Sequence, residues 1–170
     1  ALHEAERLRA MGLDLPVLVL GPVTRDEAAC AADLGCDITV GSIWALQEAG
    51  AARKPLRVHL KVETGVNRQG LVEDELPAAL ELLRSHPQLE LVGVSSHFAD
   101  IEDTTDHGFA TAQRRRFDAW TERLAAAGRV GLTRHMSCSA AAVLWPQAPA
   151  EMVRVGVAAY GVWPSRETLV

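Results

Sequence analysis

The sequence is short of most of the features that mark a specialised chemistry. Its 170 residues include three cysteines, Cys30, Cys36 and Cys138. An odd number without CxxC spacing supports neither a disulfide framework nor a thiolate zinc site, and it fits a reducing cytoplasm. Aromatic residues make up 5%, too few for a base-stacking surface. Lysine occurs only at Lys54 and Lys61, and the net charge is −5 with a pI near 5.7. That balance argues against a nucleic-acid groove, because phosphate binding needs clustered cations. The one basic run, Arg114 to Arg116, falls within a helical pattern and reads as a solvated face. No apolar run approaches the ~18 residues of a membrane helix, and the start, ALHEAERLRA, is too charged for a secretory leader. HExxH, GxSxG, P-loop and GxGxxG motifs are all missing. The chain also starts without Met, which fits either simple processing or an internal piece of something longer.

What is present is ample core material, with 48% hydrophobic residues and a mean hydropathy of +0.04, on the scale of one domain. Helical and strand patterns alternate. Leu2, Ala5 and Leu8 mark a helical face closed by Gly12, and 16–21 (PVLVLG) reads as a fully buried strand. Thr24 with Glu27 forms a capping box for a helix to about Leu34, 36–41 is a strand, and Ser42 caps the helix after it. A strand over 58–63 precedes a helix from about Asp74 to Ser85, with Pro77 in its first turn. The stretch 89–98 is a strand ending at His97; a polar loop then leads into a long helix with Phe109, Gln113, Phe117, Trp120 and Leu124 on one face, closed by Gly128. Strand 133–139, a short helix and strand 151–161 complete six strands, five of them followed by a helix. Such repetition with short links implies a parallel sheet, either a barrel or a doubly wound fold.

The stretch VHLKVETGVNRQG, residues 58–70, carries the densest chemistry. It joins an alternating strand to a turn with Gly65 and Asn67, and it brings Lys61, Glu63 and Arg68 to a strand's C-terminal end, where parallel α/β folds keep their active groups. The plain alternative is an amphipathic edge strand with a solvated charged face. Polar residues recur at or just past the other strand ends: His97, Ser139, and Arg154 with Gly156. Each has an ordinary explanation, His97 as a satisfied core histidine, Ser139 as a helix cap, Arg154 as the partner of a buried carboxylate, and Gly156 as a site of close packing.

Together the segments LPVLVLG, DITVGS, VHLKVETGVNRQG, VGVSSHFA, HMSCSAA and EMVRVGVAAYGVWP resemble alanine racemase, the fold-type III pyridoxal-phosphate enzyme family, in the family's order and across nearly the whole chain. The resemblance implies a partial (β/α)8 TIM-type barrel whose strands are similar to the third to eighth of that family, over residues 1–170, with the first two strands and a C-terminal β domain lying outside it. It implies pyridoxal 5'-phosphate as cofactor, alanine as substrate, D-alanine for peptidoglycan precursors as product, a cytoplasmic homodimer, and no metal, nucleic-acid or membrane partner.

Residue by residue, the resemblance assigns Arg154 to the cofactor's pyridine nitrogen, His97 to its ring, and Ser139 with the N–H groups of Gly156 and Val157 to its phosphate. Arg68 matches the arginine near the phenolic oxygen and the substrate carboxylate, and Lys61 a lysine that is carbamylated in many members and orients that arginine. Three positions depart from the family's pattern: Cys138 stands at a usual Asn, Asn67 at a common Gly, and Glu63 at a common Asp. The family's Schiff-base lysine and opposing tyrosine have no counterpart here, because Lys54 lies in a connector, Lys61 has another assignment, and Tyr160, the single tyrosine, reads as structural. This chain alone is therefore expected to be inactive. A serine or broad-specificity racemase on the same scaffold, and a pyridoxal-phosphate carrier without catalysis, are the alternatives.

Overall fold

The computed structural model describes residues 1–145 and 151–166. Two compact units divide the chain: residues 1–61 with 69–93, and residues 62–68 with 94–170.

In the first unit, α1 (Leu2–Ala10), β1 (Leu18–Val19), α2 (Arg25–Asp33), β2 (Asp37–Val40), α3 (Ile43–Ala49), β3 (Leu56–Lys61) and α4 (Leu76–Ser85) follow one another. The helix starts obey their capping signals. Glu27 N–H donates to Thr24 Oγ1 while Glu27 Oε2 accepts the Thr24 N–H at 2.8 Å, and Ser42 Oγ accepts the Ala45 N–H at 3.1 Å. Pro77 sits in the first turn of α4, where its missing N–H costs nothing. β2 lies parallel to both β1 and β3, with Thr39 opposite His59, and the buried Ile38, Val40, Val58 and Leu60 form the packed face. The edge-strand reading of 58–63 falls here, because β3 lies between β2 and β4 and His59 is only 2% exposed. β1 is shorter than the sequence suggests, and Leu20 beside it is exposed. It pairs with β2 alone, so nothing on its other side extends it.

β4 (Leu89–Ser95) leaves the first unit at Gly93 and continues in the second, which adds α5 (Gly108–Ala126), β5 (Thr133–His135) and α6 (Ser139–Leu144). α5 buries Gln113, Phe117, Trp120 and Leu124, as their spacing predicts, while Phe109 stays partly exposed at its start. The stretch 151–161, expected as a sixth strand, is not one. The N–H groups of Glu151 and Met152 reach Arg134 O, and that of Arg154 reaches Ser137 O at 3.0 Å, so the run leans on the β5 segment from one side. At Gly156 the backbone turns to φ −103°, ψ −96°, outside the strand region, and a 3₁₀ turn over Val157–Tyr160 follows.

The strands lie in one sheet in the order β1-β2-β3-β4-β5. Strand order equal to chain order is singly wound, as in an α/β barrel; a doubly wound sheet would reverse partway. The five strands are parallel and form part of a (β/α)8-type barrel.

Candidate functional site

All the predicted site residues except Lys61 belong to the second unit. Its most distinctive feature is the Arg154 guanidinium. Nη1 donates to His135 O at 2.5 Å and to His135 Nδ1 at 2.8 Å, while Nη2 donates to Ser96 O at 2.6 Å and Met136 O at 3.3 Å and lies 3.4 Å from His97 Nδ1. A guanidinium only donates, so His135, fully buried, must present Nδ1 as an acceptor. No carboxylate pairs with Arg154 among the described residues, which removes its ordinary explanation as half of a buried ion pair. Burial pulls its pKa down from the usual arginine value, and the nearby Cys138 works in the opposite direction. A cation held by carbonyl dipoles and a neutral imidazole keeps a net positive charge for an incoming group.

Ser139, 6% exposed, is the first residue of α6 and not its cap. The N-cap is Cys138, whose side chain makes no capping bond. Ser139 Oγ instead accepts the Gly156 N–H at 3.0 Å, leaving the hydroxyl proton to donate elsewhere. A Cβ built on Gly156 would meet nothing within 4 Å, so open space adjoins this hydroxyl and N–H pair. The N–H groups of Val157 and Ala158 open the 3₁₀ turn, where no intrahelical carbonyl can reach them. Hydroxyl, helix-start N–H groups and a nearby unpaired cation make an arrangement suited to a small anion.

The turn that presents Arg68 is built around Glu63. Its carboxylate accepts the N–H groups of Gly65 and, at 2.9 Å, Asn67. Burial pushes the Glu63 carboxyl up, but these N–H groups with those of Val66 and Thr64 outweigh it and hold the pKa below the ordinary value. Asn67 takes the left-handed conformation at φ 55°, which Asn tolerates better than most residues. Arg68 is exposed and has neither hydrogen bond nor ion pair among the described residues. Thr64 Oγ1 meets Ser96 Oγ at 2.7 Å, and Ser96 Oγ donates to Val62 O at 2.9 Å. Ser96 thereby connects the Arg68 turn with the Arg154 guanidinium, which bonds its carbonyl.

His97 is half-buried at the end of β4, its carbonyl accepting Gln113 Nε2 at 3.0 Å. Lys61 is half-buried at the end of β3, in the first unit. Sequence reading missed His135, Ser96, Thr64 and Gln113. The signal for His135 and Ser96 was their place at strand ends beside a predicted residue; Gln113 carried one in its polar character on an otherwise apolar helix face. Tyr160 is 88% exposed and packs into no core, and Lys54 pairs with Asp33 at 2.8 Å on the surface.

Fold and site define an α/β-barrel domain with an anion-receptive cluster at its strand ends. Residues 1–164 match the family model described as the alanine racemase N-terminal domain. The alanine racemase of Frankia casuarinae is 38% identical over 98% of this chain and 45% of the relative, and alanine racemase 1 of Bacillus subtilis is 37% identical over 98% and 42%. Among solved structures, alanine racemase from Bacillus anthracis with bound L-Ala-P has a TM-score of 0.90 at 30% identity, covering 98% of this chain and 44% of that one. The chain belongs to the alanine racemase family. It spans a little under half the length of these relatives.

Proposed function

We propose that residues 1–170 are the cofactor-binding barrel portion of a pyridoxal-phosphate-dependent alanine racemase, an isomerase that interconverts L- and D-alanine in the cytoplasm as a homodimer and supplies D-alanine for peptidoglycan precursors. The observation that carries this reading is Arg154, a half-buried cation without a carboxylate, beside His97 and close in sequence to the Ser139–Gly156 pair. The chemistry of these donors fits the cofactor's phosphate, ring and pyridine nitrogen.

When bound, pyridoxal phosphate supplies an electron sink that acidifies the α-hydrogen of an amino acid. Arg154 would hold the ring nitrogen, and because a guanidinium does not give up its proton it would leave that nitrogen unprotonated, moderating the sink and suppressing side reactions. His97 packs at the ring. Ser139, its hydroxyl turned outward by the Gly156 N–H, donates to the phosphate together with the Val157 N–H. Arg68 offers an unengaged guanidinium to the substrate carboxylate, and Lys61 is the candidate for carbamylation. Inverting a stereocentre needs a proton-transferring group on each face. Lys54, paired with Asp33, and Tyr160, out in solvent, are not suited to that work. On this reading the two bases are the Schiff-base lysine and opposing tyrosine that the family resemblance implies, neither of which has a counterpart within residues 1–170.

The test is to sequence the coding region on both sides and assay the complete protein. With pyridoxal phosphate it should racemise L-alanine faster than L-serine, while residues 1–170 alone should not. Arg154→Met should weaken cofactor binding by ~10–100-fold, the worth of a charge-assisted hydrogen bond. Preference for serine would shift the substrate, cofactor binding without racemisation would mean a carrier, and no cofactor binding would overturn the reading.

A further inference from the structure

The basic run Arg114–Arg116 looks like a solvated face in the sequence, and Arg116 is exposed, yet the tip of its side chain bonds to a site segment. Arg116 Nη1 donates to Thr64 O at 2.8 Å across 52 residues of chain. Arg114 pairs with Asp118 on the same helix, whereas Arg116 has no carboxylate partner among the described residues. Thr64 lies inside the turn that presents Arg68, and α5 approaches that turn closely. A Cβ built on Gly65, at φ +139°, would stand 2.9 Å from Phe109 Cζ, 3.2 Å from Arg116 Nη1 and 3.3 Å from Gln113 Cγ. Gln113, itself 0% exposed, uses both ends of its amide on the next strand exit, donating to His97 O and accepting the Ala99 N–H at 3.0 Å. One helix face thus grips two predicted site segments by their backbones.

We propose that Arg116 is a positioning residue for the substrate-binding turn: its hydrogen bond to Thr64 O fixes the turn of residues 62–68 and so the direction in which Arg68 is offered to a substrate carboxylate. The proposal rests on the function assigned above. Glu63 organises the turn from within through the N–H groups of Gly65 and Asn67. Arg116 anchors it from outside at Thr64 O. Because Arg116 is exposed apart from this tip, its loss should loosen the turn without unfolding the domain. A guanidinium whose aim wanders binds a carboxylate less tightly, and a loss shared by ground and transition states raises KM while kcat stays near its original value.

The experiment compares wild type, Arg116→Met and Arg116→Lys in the complete protein loaded with cofactor. Arg116→Met should raise amide hydrogen exchange at Gly65 and Asn67 about tenfold, as expected for a lost hydrogen bond to a charged donor, and raise KM for alanine by a similar factor with kcat within about twofold. Arg116→Lys, which keeps one donor, should recover part of both effects. Unchanged exchange in the turn overturns the proposal, and so does unchanged KM in a protein that racemises alanine. If the wild-type protein does not racemise alanine, the function assigned above fails instead, and the exchange rates alone then decide whether Arg116 positions the turn.

Discussion

The two units hold most of their cations in different ways. In the first, most cations meet carboxylates, Arg25 with Glu48 at 3.3 Å, Lys54 with Asp33, Arg84 with Glu81 at 2.5 Å and Arg57 with Asp37, while Arg9 is held by the carbonyls of Leu34, Leu13 and Leu15. In the second, Arg154 and Arg116 are held by carbonyl oxygens, and Arg68 stands unengaged. A carboxylate cancels a cation's charge, while a carbonyl fixes its direction and leaves the charge in place. Neutralised charge goes with scaffold, whereas directed but uncancelled charge serves either structure, as at Arg9, or a ligand.

The contrast predicts that injuring the first unit affects stability and injuring the second affects binding. The strongest case is Gly93, where a Cβ would stand 2.0 Å from the buried His59 Nδ1. Gly93→Ala should destabilise by about 3 kcal/mol, the upper end for overpacking, measured as a lowered denaturant midpoint. A midpoint unchanged from wild type would break the assignment of this region to scaffold.

A smaller effect is expected from His59 itself. Burial pushes its pKa below the ordinary value, and Asp37 restores only part of it. The unfolded chain takes up a proton near pH ~6.5, which the folded protein refuses until lower pH. Stability should therefore fall as pH drops from about 7, and the loss should level off once folded His59 also protonates. His59→Gln should flatten that slope in a melting-temperature series against pH.

The smallest is a charge pair in the second unit that follows the first unit's habit. Glu151 takes the Arg134 side chain at 2.7 Å and its backbone N–H at 2.8 Å, and its pKa drops to about 2. Its stabilisation is present above the ordinary carboxyl pKa and disappears as pH falls toward 2. The pair is largely exposed, so Glu151→Gln should cost no more than about 1 kcal/mol at pH 7 and leave cofactor binding unchanged. A binding defect in that variant would mean that paired charges also serve the site.

Much of this was legible in the residues because it depends on local rules. Thr24 with Glu27, Ser42, Pro77, Gly128 and the buried stripe of α5 each announce an element by short-range chemistry. Asn67, which stands at a common Gly, takes the left-handed conformation that Asn tolerates. What failed depended on distant partners. β1 is only two residues long at the edge of the sheet, and the apolar pattern of 151–161 cannot reveal the turn of the backbone at Gly156. Ser139 looked like a cap, but the cap is Cys138 one residue earlier, and the hydroxyl serves Gly156 instead. Arg116 is exposed, as its place in the basic run suggests, but its bond to a carbonyl 52 residues away leaves no trace in a sequence.

The sheet's order has a consequence for how the molecule comes into being. With β1 to β5 arranged as they occur in the chain, every strand after the first finds its partner already synthesised, separated from it by one helix and its links. Loop closure is then the cheapest the topology allows. The sheet can grow by accretion in the direction of translation, each new strand templated by the one before, without waiting for a distant segment to return.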